Sequence, residues 1–263
     1  MFQLRYSIFL VLVICSGQLA SHGGELPQPQ AGYVATKTFA VPDATQAAAA
    51  DEKHFYAVSN TRVVQFDRTT GKETARSDGP AKHLNSAFLW EGKVYCAHSN
   101  YPAVPHESDI RVWDLSTKKL TIFHRFEQPA GSLTWAILHE DSWWCHFAHY
   151  KEENAKSVVI RYSKAWKELQ RWTYPTELVA EWDGASLSGG IWHDGKLLTT
   201  GHDKKLIYHV ELPTNRTTAV VKAIYTCPWE GQGIARDPKT GGLVGIIRSK
   251  REVVFAQLKR EKR

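Results

Sequence analysis

The sequence predicts an all-β fold, a five-bladed β-propeller, from three observations. A strand–turn–strand phrase recurs five times along the chain. The copies repeat at the spacing of a propeller blade. One further strand, Tyr33 to Val41, stands before the first copy, and the last copy lacks an outer strand.

The clearest copy runs from Leu187 to Asp203, with Asp194-Gly195 between two apolar runs. That dipeptide in that setting is a strong hairpin signal. The others are Gln46 to Asn60, Asn85 to Asn100, Leu133 to Tyr150 and Gln232 to Ser249. Tyr56, Tyr95, Trp144, Leu198 and Val244 mark the second strand of each, at intervals of 39, 49, 54 and 46 residues.

Third strands follow at Arg62 to Asp67, Ile110 to Leu115, Ser157 to Tyr162, Leu206 to Leu212 and Glu252 to Leu258. They are rich in β-branched and aromatic residues, which suit a pleated, half-buried surface. Outer strands are expected at Glu73 to Arg76, Leu120 to Phe126, Leu169 to Tyr174 and Thr217 to Tyr225. The fifth copy has none after Leu258, so residues 33–41 are expected to pair into the last blade and close the ring. Closure removes the sheet edges that would template aggregation. Ten Trp against one Met also suit a sheet protein of this size.

The domain layout follows: a signal peptide at 1–20, a flexible leader at 21–31, one propeller at 32–258 and a basic tail at 259–263. Arg5, the apolar run Ile8 to Cys15, and small residues up to Ala20 form a secretory signal pattern. It implies a secreted or periplasmic protein with no membrane span after signal cleavage. The net charge of +6 is drawn partly from the tail, and no basic-aromatic stripe accompanies it, so no nucleic-acid partner is expected. A monomer is expected. Cys96 and Cys145 occupy equivalent places in neighbouring copies. Such places lie roughly 10 Å apart in packed sheets, too far for a disulfide. They and Cys227 are read as buried free thiols.

A propeller gathers the starts of first strands and the ends of second strands on one face around the axis. Here that set is polar. First strands contribute Gln46, His83, Asn85, Ser86, Thr134, Ser186, Ser188 and Gln232. Second strands contribute Asn60, His98, Asn100, His149, Tyr150, His202, Asp203 and Arg248. Convergent polar groups in a concavity are the default ligand site. His98, His149 and His202 are candidate proton shuttles, and Arg248 a candidate anion stabiliser. His83, Asn85, Asn100, Asp203 and Gln232 are candidate ligand contacts. The three histidines could instead hold a divalent transition metal, although no local ligand spacing supports it. Nucleophilic catalysis has weaker support: Ser99 and Ser188 lie near histidines, but no nucleophile elbow exists.

The loop Tyr101 to Asp109 is the longest on this face, which makes His106 and Glu107 second-rank candidates. Trp229 is placed either to stack on a ligand ring or to pack between blades. Asn215-Arg216-Thr217 has the form of a glycosylation sequon.

Three phrases, HLNSAFLWEGKVYCAHSNYP, SLSGGIWHDGKLLTTGHD and GQGIARDPKTGGLVGI, resemble secreted bacterial β-propeller proteins. Some of that group carry the label cycloisomerase by similarity to propeller lactonising enzymes. The resemblance covers Ala44 to Gln257, implies the fold, and brings no defined catalytic set. At Gln232-Gly233-Ile234 the chain is also distantly similar to five-bladed glutaminyl cyclases. The expected function is binding of a small polar or anionic ligand, of the sugar-acid or lactone class, at the axial face. A His-dependent lyase, cycloisomerase or lactonase would be its active form. The alternative is a non-catalytic propeller that binds glycans or a protein partner.

Overall fold

The computed structural model describes residues 24–259, and over that range the chain is a five-bladed β-propeller. The signal-peptide segment 1–20 and tail residues 260–263 lie outside the described residues.

β1 (Pro29–Gln30) and β2 (Tyr33–Ala40) precede the first blade. The first blade is β3 (Ala47–Ala50), β4 (His54–Val58), β5 (Val63–Asp67) and β6 (Glu73–Arg76). The second is β7 (His83–Trp90), β8 (Lys93–Ser99), β9 (Ser108–Asp114) and β10 (Leu120–Phe126). The third is β11 (Ser132–His139), β12 (Ser142–Ala148), β13 (Val158–Ser163) and β14 (Glu168–Trp172). The fourth is β15 (Gly189–His193), β16 (Lys196–Thr200), β17 (Leu206–Glu211) and β18 (Val220–Thr226). The fifth is β19 (Ala235–Arg236), β20 (Leu243–Ile247) and β21 (Glu252–Leu258), completed by β2.

The closing strand pairs antiparallel with β21, from Tyr33↔Leu258 to Ala40↔Glu252. Ring closure by the N-terminal strand is therefore as the sequence reading expected. Within the segment read as a leader, β1 adds a fifth, parallel strand outside β18, with Pro29 opposite Ile224.

Hairpin chemistry sets the blades. Asp194 and Gly195 have φ of 49° and 71°, and Glu91 and Gly92 have 48° and 70°. Both central residues are left-handed, as a two-residue turn matched to strand twist requires. Glu140 and Asp141 adopt the same conformation with φ of 46° and 60° and no glycine.

The apolar cores lie between blades. Ala47, Ala48, Ala49 and Ala50 are all buried, because side chains of an inner strand have little room near the axis. The same crowding explains Gly190: a Cβ there would meet the Trp135 ring at 2.5 Å. Trp229 is fully buried, and its indole N–H donates to the Val254 carbonyl at 2.9 Å. Of the two roles considered for it, packing between blades is the one it fills. Cys96, Cys145 and Cys227 are free and buried, and burial pushes the Cys96 and Cys227 thiols up to about 12. Among the described residues three short helical segments fall in inter-strand connections, 3₁₀ turns at Lys151–Lys156 and Arg248–Lys250 and α1 (Thr176–Ala180). Among the described residues no helix is long and apolar enough to cross a membrane.

Candidate functional site

The five inner strands meet along the axis and are stitched there by hydrogen bonds between neighbouring blades. The Leu84 N–H donates to the Asn60 carbonyl at 2.8 Å, and the Asn85 Nδ2 donates to the Leu133 carbonyl at 2.9 Å. Thr134 Oγ1 donates to the Leu187 carbonyl at 2.7 Å, and Thr200 Oγ1 to the Gln232 carbonyl at 2.5 Å. The Gly233 N–H closes the circle on the Gln46 carbonyl at 2.9 Å.

This stitching leaves a cavity of about 520 Å³ on the axial face. Each blade lends it a polar residue within three residues of the start of its first strand: Gln46, Asn85, Thr134, Ser188 and Gln232. The volume is in the range of small-molecule sites. The sequence-predicted residues His83, His202, Asp203 and Arg248 line it as well.

The floor is built of acceptors. The amide groups of Asn85 and Gln232 donate to main-chain carbonyls, Gln232 Nε2 to His202 at 2.9 Å. Gln46 Nε2 donates to Asn60 Oδ1 at 2.6 Å. Each carboxamide thus commits at least one N–H to the protein, and its oxygen, which accepts from no group among the described residues, remains to accept from a hydroxyl.

The cationic side comes from the fourth and fifth blades. His202 Nδ1 lies 2.7 Å from Asp203 Oδ2, and its Nε2 lies 3.3 Å from Arg248 Nη1. A carboxylate on Nδ1 requires the proton there, so Nε2 presents its lone pair to the guanidinium. Among the described residues no carboxylate lies within salt-bridge distance of Arg248. Lys151 and Asp183 are exposed at the rim.

The aromatic side comes from the second and third blades. Tyr101 packs against His83 at 5.1 Å between ring centroids and against Tyr150 at 4.7 Å. Burial, with the electrostatic influence of His98, Arg248 and His202 nearby, lowers the His83 pKa to about 4. At neutral pH it is an uncharged ring. Burial raises the Tyr150 phenol to about 12, so it keeps its proton.

His98, His149 and Asn100 lie elsewhere. His98 lines a separate cavity of about 370 Å³ beside the second blade, with Asp109, Arg111 and His106. Its Nε2 accepts from the Lys82 N–H at 2.9 Å. Its Nδ1 is 3.1 Å from Asp109 Oδ1, close but misaligned, so the contact is electrostatic rather than a hydrogen bond. Arg111 forks onto Asp109 at 2.6 and 3.2 Å and donates to the Pro80 carbonyl. These buried charges compensate one another and clamp the chain just before His83.

His149 Nε2 is held by the Ala130 carbonyl at 2.8 Å, and its ring meets His106 edge-on. The three histidines are therefore not brought together. Among the described residues no group of three or more His, Cys, Asp or Glu is placed to hold a metal ion. Asn100 staples its own loop: its side chain donates to the Pro105 carbonyl at 2.9 Å and accepts from the Glu107 N–H at 3.0 Å.

Sequence reasoning missed His146 and Tyr101. His146 is fully buried between Tyr174 Oη at 2.8 Å and Ser186 Oγ at 3.1 Å, and burial lowers its pKa to about 3. Its place inside β12, one residue after Cys145, is a core position, and no polar signal marks it. Tyr101 carried a signal, as the first residue of the longest loop on the face.

No family model and no curated protein sequence matches the chain. Among solved structures it is similar to the glutaminyl cyclase of Myxococcus xanthus, with a TM-score of 0.59 and 9% identity over 89% of this chain and 100% of that one. A looser likeness is to a mitotic checkpoint complex, with a TM-score of 0.48 and 8% identity over 90% of this chain and 98% of that one. At such identities the likeness is one of fold.

Proposed function

We propose that the axial cavity binds a small polyhydroxylated ligand, polar or anionic, of the sugar-acid or lactone class. The observation that supports this most is Arg248: a guanidinium lining a cavity, with an imidazole as its neighbour and, among the described residues, no carboxylate within salt-bridge distance. A carboxylate placed there gains a charge-assisted hydrogen bond. Carboxamide oxygens on the floor then accept from the hydroxyls. A propeller can carry such a site as an enzyme or as a binding module, and fold alone does not choose.

In the active form, His202 is the group that moves a proton. Asp203 holds Nδ1–H, and Nε2 takes the proton from a carbon or hydroxyl of the ligand. Arg248 holds the negative charge that develops beside it. This chemistry serves a lyase, a cycloisomerase or a lactonase, and the signal pattern read in the sequence supports export as its setting. Glutaminyl cyclisation, the activity named for the Myxococcus protein, is a control reaction.

Isothermal titration with a panel of sugar acids and their lactones tests the binding. The expected result is a hit that Arg248→Ala weakens by about 10- to 100-fold. His149→Ala should leave the affinity within about twofold. If no anion binds, or Arg248→Ala binds as the parent does, the reading fails. Following the ligand by NMR separates turnover from binding. Conversion that is lost in His202→Asn supports the enzyme, and binding without conversion supports the module.

A further inference from the structure

We infer that Tyr101 is a stacking platform that selects the closed, pyranose form of an acidic sugar over the open-chain acid. The inference rests on the anion reading of the axial cavity and adds the shape of the ligand to it.

Tyr101 is 41% exposed, one of the few large hydrophobic side chains left open to solvent among the described residues. Unlike the other exposed hydrophobic side chains, it lines the axial cavity. Its orientation is fixed from behind by His83 and Tyr150. Its loop is fixed by Asn100, through both side-chain bonds and through main-chain bonds to Glu107 and Ala103 at 3.0 Å. A tyrosine held this way loses little freedom on binding, since it has only two side-chain torsions and both are constrained. Neutral His83 adds a second uncharged ring to the wall.

The three kinds of surface match one molecule. A pyranose presents C–H groups on its face and hydroxyls around its rim. The aromatic wall suits the C–H face. The carboxamide oxygens of Gln46, Asn85 and Gln232 suit the rim. Arg248 suits a carboxylate on the ring. An open-chain acid also offers hydroxyls and a carboxylate but no flat C–H face. Tyr101 is thus where the two forms are told apart.

The test compares methyl glucuronoside, locked as a pyranose, with gluconate, the open chain. Both are titrated into the parent, Tyr101→Ala, Tyr101→Phe and Arg248→Ala. The parent should bind the pyranoside about tenfold more tightly than gluconate. Tyr101→Ala should bring the ratio to about one, with gluconate affinity unchanged, and Tyr101→Phe should keep the ratio. Unchanged gluconate binding also shows that the variant is folded. Equal affinities in the parent, or a ratio that survives Tyr101→Ala, overturn the platform and leave the anion reading standing. If neither acid binds, or Arg248→Ala binds both normally, the anion reading fails and the platform with it.

Discussion

At the scale of the residue, Arg248 and His202 define what the axial cavity can do. His202 is locked by Asp203 with its lone pair toward Arg248, so a ligand carboxylate must share or replace that contact. His149, turned onto the Ala130 carbonyl, has no part in it. His98 still lies inside β8, His149 lies just past the end of β12, and His202 and Arg248 lie beyond the ends of β16 and β20, in connections that line the cavity. All three histidines were legible as residues at the ends of second strands, but which of them the connections turn toward the axis was not. What was not legible is that the loop after β8 folds back, so that Asn100 bonds its own backbone and presents Tyr101.

At the scale of the element, the seam between the first and last blades is the one that holds the ring shut. Arg68, in the turn after β5, forks onto Asp237 of the fifth blade at 2.6 and 2.5 Å, and Asp237 is fully buried. The same guanidinium lies 4.4 Å from the Phe255 ring of β21. Phe39 of the closing strand stacks on Phe55 of the first blade at 4.4 Å, and Lys37 Nζ donates to the Arg68 carbonyl at 2.8 Å. Asp237→Ala leaves a buried guanidinium unpaired and should cost about 3–5 kcal/mol. Urea unfolding measures this, and Arg68→Met/Asp237→Leu should recover most of the loss. A single-variant cost below about 1 kcal/mol would show that the seam is held by its aromatic rings alone.

The strands of this seam were readable from the β-branched run at Glu252 to Leu258 and from the arithmetic of the missing outer strand. The ion pair was not, because Arg68 and Asp237 lie at opposite ends of the chain and each reads locally as a turn residue. The Glu140-Asp141 turn was readable from its flanking strands despite lacking glycine. The helix Thr176–Ala180 was not, since five residues show no helical period.

At the scale of the whole molecule, burial of imidazoles makes stability depend on pH. His83 and His146 are lowered to about 4 and about 3, and His106, His124, His193 and His209 are shifted in the same direction, chiefly by burial. In the unfolded chain these groups titrate near about 6.5. Between about pH 6.5 and 4 the unfolded chain therefore binds protons that the folded chain excludes. Stability rises with pH through that window and is lost as pH falls. Fully buried His146 alone contributes up to about 1.4 kcal/mol per pH unit. Urea midpoints taken from pH 7 to pH 5 should fall steadily, and less steeply in His146→Gln. A flat or rising trend would contradict the burial of these rings.

The fivefold ring also gathers one polar residue from each blade onto a common axis, and the proposed function stands on that convergence. The measurement that tests it most directly is a crystal structure of the protein grown with saturating methyl glucuronoside. The expected result is ligand density in the axial cavity, with the carboxylate about 3 Å from the Arg248 guanidinium and the sugar ring against Tyr101. Density at the His98 cavity instead, or an axial cavity that stays empty, would contradict it.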